Sequence, residues 1–480
     1  MTDEGTRSFP ARLNHLQSGL SRFVAACAVA GLAACGSGGG SAATAPGAQP
    51  GAGDGSATPG RATTFTVCGS DEEFRDRALI AFFEAREGDT IEFCEGRFDL
   101  DTGLIIHGRR GVTVRGQGMR KTILNFKNSD SSEGLNVSFS DGIVLEGFSV
   151  EDTPGNGIRL FRSRSVTMRD IRASWSDAEG FEDEPGYTPR AENGAYGLYP
   201  VETENVLIEN CEAHGASDAG IYVGQSNDVL VRNCLATFNV AGYEFENTYR
   251  SVFEHNEARD NTGGFLVFDL PGLRQYGESN IVRNNRSCNN NTDNFAPIGN
   301  IVGLVPRGTG MLVLSADTVD IHDNEICDND SFGIAIVSFE LVDPNEGDIK
   351  FDFFSEGVQI FDNVFRDNGG NIQEPDPDRG EASLLPLLIV AKNLGRSAHI
   401  VWDGAVDEAS DCEPIPVDSD GIPLTEPNPN PSDPRLEART DRRGRPNLQR
   451  PDPEPSCRWN AWKFAEGGEL IADNRLWIEV

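Results

Sequence analysis

Between Gly197 and Val267 the chain repeats one short pattern of apolar and polar positions three times and begins a fourth. Gly197, Gly220, Gly242 and Gly264 each open an apolar-x-apolar run: Leu198/Pro200, Ile221/Val223, Tyr243/Phe245 and Phe265/Val267. The spacings are 23, 22 and 22 residues. A constant period in the low twenties predicts a solenoid, because one such unit cannot bury its own apolar face and must stack on neighbours. Inside each period are two runs of four to six residues that alternate apolar and polar, as in Gly220–Val223 and Val229–Cys234. Period-two alternation over so few residues predicts strands. Asn, Gly, Ser and Asp fill the joints, as tight turns require. A leucine-rich repeat has a similar period, but its leucine ladder and fixed Asn are absent. The pattern predicts an all-β, right-handed parallel β-helix of roughly ten coils, stacked about 4.8 Å apart.

The pattern extends beyond this stretch. Ser70 to Glu87 has helical apolar spacing, with Ser70 as N-cap and Glu73 three residues on, so a helix is predicted to plug the open end of the solenoid. Strand patterns follow at Gly88–Phe93, Gly96–Phe98, Val112–Gly118 and Thr122–Leu124. This opening, GDTIEF and GRF followed by VTVRGQG and TIL, resembles that of right-handed β-helix proteins such as pectate lyases and mannuronan C5-epimerases. With the 22-residue coils, it is similar to exported β-helix repeat proteins over about Phe65 to Gly404. Two insertions, Trp175–Asn193 and Asn289–Thr309, both precede a Gly-opening strand. They are expected to project from one side and bracket coils 197–267, a usual place for a binding face. Leu384–Val390 reads as a last apolar strand.

The two ends change the picture of where the chain works. Arg12 and Arg22 precede an apolar run, Phe23–Ala34, too short to span a bilayer. It ends in Leu32-Ala33-Ala34-Cys35-Gly36, which resembles a bacterial lipobox. The resemblance implies a lipoprotein signal over 1–34, lipidation at Cys35 and an outer-membrane location, periplasmic or surface-exposed. Residues 35–64 read as a Gly/Ala/Pro-rich tether, residues 65–404 as the β-helix, and 405–480 as a Pro-rich tail with an apolar end (Trp459 to Ile478) that caps the last coil or adds an edge strand. The net charge is −35, with 41 Lys and Arg against 76 Asp and Glu. Such a surface repels nucleic acid, and a monomer is expected. Ten cysteines are present, of which Cys27 and Cys35 belong to the signal. The remaining eight are expected as disulfides in an exported chain. One coil separates Cys211 from Cys234; Cys68–Cys94 would staple the N-terminal cap, Cys412–Cys457 the tail, and Cys288–Cys327 is left by elimination. The connectivity stays open at this point.

The candidate chemistry lies on and beside the Gly-opening strands. The outward column there reads Arg159, Tyr199, Tyr222, Glu244, Leu266. Just beyond it lie Glu202, Gln225, Glu246 and Asp269, and just before it His214, Asp218, Asn239 and Asn261. Aromatic rings stack on sugar faces, and carboxylates accept hydrogen bonds from sugar hydroxyls. The predicted substrate-binding residues are therefore Tyr199, Tyr222, Gln225, Glu246 and Asn239. Asp218, Glu244, Asp269 and His214 are the candidates for acid–base work. The stacked pairs Asn239/Asn261 and Asn210/Asn233 also read as structural amide ladders. Asp323–Asp330 (DNEICDND) is a calcium candidate whose spacing fits no defined loop; otherwise no cofactor or metal is expected. The Asp-Pro-His-Asp motif of mannuronan epimerases is absent, and Asn291-Thr292-Asp293 lacks the other polygalacturonase motifs. The expected function is to bind or process a polysaccharide through a groove on coils 197–267. The alternative is a non-catalytic scaffold that docks another exported protein.

Overall fold

The computed structural model describes residues 62–175, 188–343, 346–374, 386 and 399–403, together with the backbone of three short strands at 439–440, 446–447 and 475–478. The chain coils as a right-handed parallel β-helix. Each regular coil gives one strand to a ten-stranded sheet and two short strands to a larger one. One such coil is Ala219–Gly224, Asn227–Arg232 and Leu235–Thr237; the next is Ala241–Glu246, Val252–Glu254 and Glu257–Arg259. The pairing is parallel, Ile221 opposite Tyr243 and Tyr243 opposite Phe265.

The inward column of the ten-stranded sheet is Leu198, Ile221, Tyr243, Phe265, Met311 and Ile334, all buried. Tyr243 stacks on Phe265 along the axis at 4.6 Å, and Phe245 stacks across the interior on Phe253 of the larger sheet at 3.6 Å. The glycine that opens each period has a packing reason. A Cβ on Gly242 would meet the Gly264 carbonyl at 2.8 Å and the Asn261 amide at 3.1 Å; at Gly220 it would meet the Asn239 amide at 2.8 Å. Only hydrogen fits between the coil and its ladder.

That ladder runs Asn239, Asn261, Asn290, Asn329, Asn368. The Asn239 N–H donates to Asn261 Oδ1 at 3.0 Å, and the Asn239 Nδ2 donates to the same oxygen at 2.9 Å. The pattern continues through Asn290 and Asn329. Asn210 and Asn233 are different. They are exposed, with φ of 54° each, and occupy left-handed turns rather than an amide ladder. A second interior ladder replaces the expected Cys211–Cys234 bridge. Cys211, Cys234, Asn256, Asn285, Asn324 and Asn363 share one column: the Cys211 N–H donates to Cys234 Sγ at 3.3 Å and the Cys234 N–H to Asn256 Oδ1 at 3.0 Å. Both thiols are free and buried. Each occupies a ladder position: Cys234 Sγ accepts the preceding coil's N–H, and the Cys211 thiol donates to Glu209 O at 3.3 Å. The bridges present are Cys68–Cys94 and Cys288–Cys327; Cys412 and Cys457 lie outside the described residues.

The ladders also account for DNEICDND, where Asn324 and Asn329 point inward and Asp323 and Asp328 hold left-handed turns. The helix spans Asp71–Glu84, and Glu73 accepts the Ser70 N–H at 3.0 Å. It buries Phe74, Ala78, Ala81 and Phe82 against the first coil, with Phe74 stacked on Phe98 at 3.7 Å. At the other end, Arg475–Ile478 pairs antiparallel with Val358–Phe361. Leu384–Val390 lies outside the described residues except Pro386.

Candidate functional site

The outer face of the ten-stranded sheet changes character along the axis. Its central column runs Asn136, Arg159, Tyr199, Tyr222, Glu244, Leu266, Leu312, Ala335. It is half-buried as far as Tyr199 and buried from Tyr222 onward. The cause is a roof. Residues 289–309, 338–343 and 346–357 fold over this face, and Ala296, Val302, Val305, Phe339, Leu341 and Phe351 pack onto Leu266, Phe268, Leu312 and Leu314. The second insertion therefore covers coils 219–337 instead of bracketing an open groove. Its apolar residues need the equally apolar outer positions of the later coils, which end the polar surface. Of the first insertion, residues 176–187 lie outside the described residues.

Where polar face meets roof, three carboxylates converge. Glu244 and Glu246 point outward from Ala241–Glu246, and Asp218 sits in the turn before Ala219. Tyr196, Asp218, Glu244 and Glu246 line a cavity of about 60 Å³, closed by Leu266, Val302 and their neighbours. The rings of Tyr196 and Tyr199 stack at 4.4 Å, and Tyr222 lies 4.8 Å from Tyr196 and 4.9 Å from Tyr199. Tyr222 folds over Gly224, where any Cβ would strike its ring and hydroxyl, and this brings the hydroxyl to Glu246, the register partner of Gly224. The roof reaches down at Asn300, whose Nδ2 donates to Asp218 Oδ2 at 2.8 Å.

Burial of like charges sets the electrostatics. Burial pushes Asp218 up to about 6, against the opposing hydrogen bonds from Asn300 and Tyr196. Burial and then the Asp218 charge push Glu246 up to about 7, with Tyr222 opposing. Burial, then Asp218 and Glu246, push Glu244 well above the usual carboxylate range. Glu244 is 2% exposed, and its Oε1 has no hydrogen-bond partner. Glu246 and Tyr196 keep part of their surface in solvent, so the cluster is wetted at that edge. Such a group can lend and take protons near neutral pH.

The structure thus brings together Asp218, Glu244, Glu246, Tyr199 and Tyr222, and separates the other candidates from them. Asn239 is fully buried in the interior ladder, so its amide faces the core and not a ligand. His214 belongs to the other sheet, on Glu212–His214, where it meets Thr237 Oγ1 at 2.6 Å and Glu212 Oε2 at 3.4 Å. Burial lowers its pKa, against Glu212. It joins a charged group containing Arg172, Glu151, Glu212 and Arg120 that sequence spacing had not assembled. Asp269 clasps a loop by accepting the Gly277 N–H at 2.6 Å. Burial pushes it up to about 8, as it does Asp317. Gln225, with φ 48°, sits in the turn beyond the sheet, where its N–H donates to Glu246 O at 2.8 Å, and it lines a neighbouring trough instead of the acid cluster's cavity. Tyr196 and Asn300 were missed. Tyr196 falls outside strict alternation because Gly197 and Leu198 both face inward, and Asn300 comes from a loop with no repeat to place it.

Comparison with known proteins places the fold. The family described as the right-handed β-helix region matches residues 190–343. The preneck appendage protein of Bacillus phage PZA is 25% identical over 206 residues, 42% of this chain and 24% of that protein. The pre-neck appendage protein of Bacillus phage phi29 is 28% identical over 148 residues, 30% of this chain and 17% of that protein. The chain thus spans under a quarter of the length of these curated relatives. Among solved structures, the A-module of a mannuronan C-5 epimerase from Azotobacter vinelandii aligns with 15% identity and a TM-score of 0.38, over 66% of this chain and 98% of that one. An alginate lyase from Paenibacillus aligns with 13% identity and a TM-score of 0.40, over 65% and 99%.

Proposed function

We propose that this chain binds and processes a polysaccharide on the outer face of coils 196–246, with Asp218, Glu244 and Glu246 moving protons and the tyrosines holding the sugar. The observation that carries the reading is the convergence of three raised carboxylates on one cavity with Glu244 Oε1 unpartnered. A structural role would favour apolar residues there, since unpaired buried carboxylates cost stability. Groups poised between about 6 and 7 suit general acid–base steps on a glycosidic or uronate centre. Asn300 and the roof must shift for a sugar to reach Glu244.

The test incubates the full chain with a panel of neutral and anionic glycans and analyses the products by chromatography. Conversion of one glycan that falls at least about a hundredfold in Glu244→Gln is the expected result. Binding without conversion by either form would remove the catalytic half of the reading, and conversion at full rate by Glu244→Gln would refute the assignment. A second reading, docking of another exported protein, draws on the roof tips, where Ile298 is 75% and Ile349 99% exposed, and on relatives named as phage appendage proteins. Ile298→Ser plus Ile349→Ser should leave glycan conversion unchanged under the first reading.

The location is part of the proposal: Cys35 carries lipid and tethers the chain to the outer membrane through residues 36–64. Cys35→Ser is expected to move the protein from the membrane fraction to the soluble fraction. Unchanged fractionation would refute the anchor.

A further inference from the structure

Beside the acid cluster, at the turn from the ten-stranded sheet to the larger one, lies a trough of about 590 Å³. Its floor is a column of small buried hydroxyl residues, Ser140, Ser163 and Thr203, which continues beyond the trough to Ser226. They are fixed by their own ladder: the Arg109 N–H donates to Ser140 Oγ at 3.1 Å, Ser140 N–H to Ser163 Oγ at 3.1 Å, and Thr203 N–H to Ser226 Oγ at 2.9 Å. Small residues between two columns of long ones make the surface concave. One wall carries Phe139 and Arg162; the other carries Arg110 and Arg164, in bridge register through Asp141. Arg274 closes one end from the loop after Asp269.

The charge there runs against the rest of the molecule. Five arginines and three acids line the trough, in a chain with 41 cationic and 76 acidic residues. The acids do not cancel the cations. Glu202 takes both Arg162 at 2.7 Å and Arg274 at 2.9 Å, and Asp141 takes Arg164 at 3.1 Å. The side chains of Arg162, Arg164 and Arg274 stay 49%, 59% and 63% exposed. Arg110 is exposed and makes no ion pair among the described residues. Phe139 is 51% exposed and held edge-on against Phe161 at 5.6 Å.

We propose that this trough is a binding site for an anionic polysaccharide, its guanidinium groups taking carboxylate or sulfate groups and Phe139 stacking on a sugar ring. The volume is too large for a single ion and in the range of ligand pockets. The cationic coils, Arg109/Arg110 and Arg162/Arg164, are two coil spacings apart, roughly 10 Å. That spacing suits a polymer with separated charges. Nucleic acid, with a charge every ~1.7 Å, would be repelled by the acidic remainder of the chain. Arginine forks read carboxylate and sulfate by the same two-point hydrogen bonding.

The inference rests on the glycan reading for its kind of ligand, and the two fail separately. Binding of the full-length chain to alginate (carboxylate), dextran sulfate (sulfate) and dextran (neutral) is measured by calorimetry at 0.15 M salt. One polyanion binds, dextran does not, and the polyanion that binds identifies the group. Arg110→Gln plus Arg164→Gln weakens that binding about tenfold or more. If the double variant melts early because Asp141 loses its partner, Arg110→Gln alone, with no ion pair to break, still weakens binding severalfold. The proposal is overturned if neither polyanion binds, if dextran binds as well, or if folded Arg110→Gln and the double variant bind like the wild type. Binding at the trough without any glycan conversion overturns the acid-cluster reading alone; conversion of a neutral glycan without polyanion binding overturns the trough alone.

Discussion

Asn261→Leu is expected to lower the melting temperature by about 10 °C, whereas Asn233→Gly changes it by no more than about a degree. Asn261 Oδ1 accepts from the Asn239 N–H and Nδ2 at 3.0 and 2.9 Å. Its Nδ2 donates to Ala236 O at 2.9 Å, Arg259 O at 3.1 Å and Asn290 Oδ1 at 3.0 Å. Leucine removes all five bonds and strands the two Asn239 donors in the core. An unsatisfied buried group costs about 1–3 kcal/mol, so the loss is about 4 kcal/mol after the gain from an apolar side chain. At about 2–4 °C per kcal/mol for a large domain, that gives the stated shift. Asn233 occupies a left-handed turn, at φ 54°, which glycine adopts freely. Thermal melting of the two variants checks both halves. An Asn261→Leu protein that melts within 2 °C of the wild type would show that the ladder only accompanies the coil and does not hold it.

The contrast marks what could be read from residues alone. The 22-residue period, the strand alternation and the capping helix were legible because each repeats a local rule several times, and the fold follows from them. Asn239/Asn261 and Asn210/Asn233 carry the same residue type at one-coil spacing, yet one pair faces the core and the other the solvent. The difference lies in which turn of the coil each occupies, and that depends on the glycine column packed against the first pair. Cys211 and Cys234 were misread for a related reason. One-coil spacing puts two residues in a column, but it also puts Cys234 in line with Asn256, and the ladder geometry claims both thiols. Cys288 and Cys327 share a column too, as register partners on the larger sheet, and there the bridge forms.

The site was half legible. Outward alternation put Tyr199, Tyr222 and Glu244 in one column. It gave no sign that residues 289–309, 338–343 and 346–357 would fold back over the later coils, because loops carry no period. The sign was present in another form. Leu266, Leu312 and Ala335 continue the same outward column with apolar side chains. An apolar outer column on a solenoid demands a cover. Glu244 is the last polar residue before that change, which is why a carboxylate there is buried.

That burial leads to an inverted dependence of stability on pH: the melting temperature should fall by about 10 °C between pH 6.5 and 8.5. Asp269 and Asp317 are pushed up to about 8 and Glu246 to about 7, well above unfolded values. A carboxylate with a raised folded pKa keeps its proton in the folded state while the unfolded chain has lost it. Stability from such a group is intact below the unfolded pKa and is lost as pH rises through the folded one. Asp269 alone contributes about 1.4 kcal/mol per pH unit in the window up to about 8. The histidines act oppositely and elsewhere. Burial holds His214 and His399 below 6.5, so they lower stability only as pH drops under that value. Glu212, buried but held down to about 2 by His214 and Arg120, contributes stability lost only in stronger acid. Five raised carboxylates outweigh two lowered histidines, so stability keeps rising as pH falls from 6.5 toward the unfolded carboxylate values near about 4. Glu244→Gln separates this effect from general surface repulsion. Glutamine cannot ionise, so the variant is expected to melt above the wild type, by a margin that grows with pH, while losing any proton transfer at the cluster. A wild-type melting temperature that stays flat or rises from pH 6.5 to 8.5, at 0.15 M salt where surface charges are screened, would mean that the acids are ionised in the fold and balanced by a cation. A stabilised, inactive Glu244→Gln would show instead that the face carries its carboxylate at the expense of stability, as functional groups commonly do.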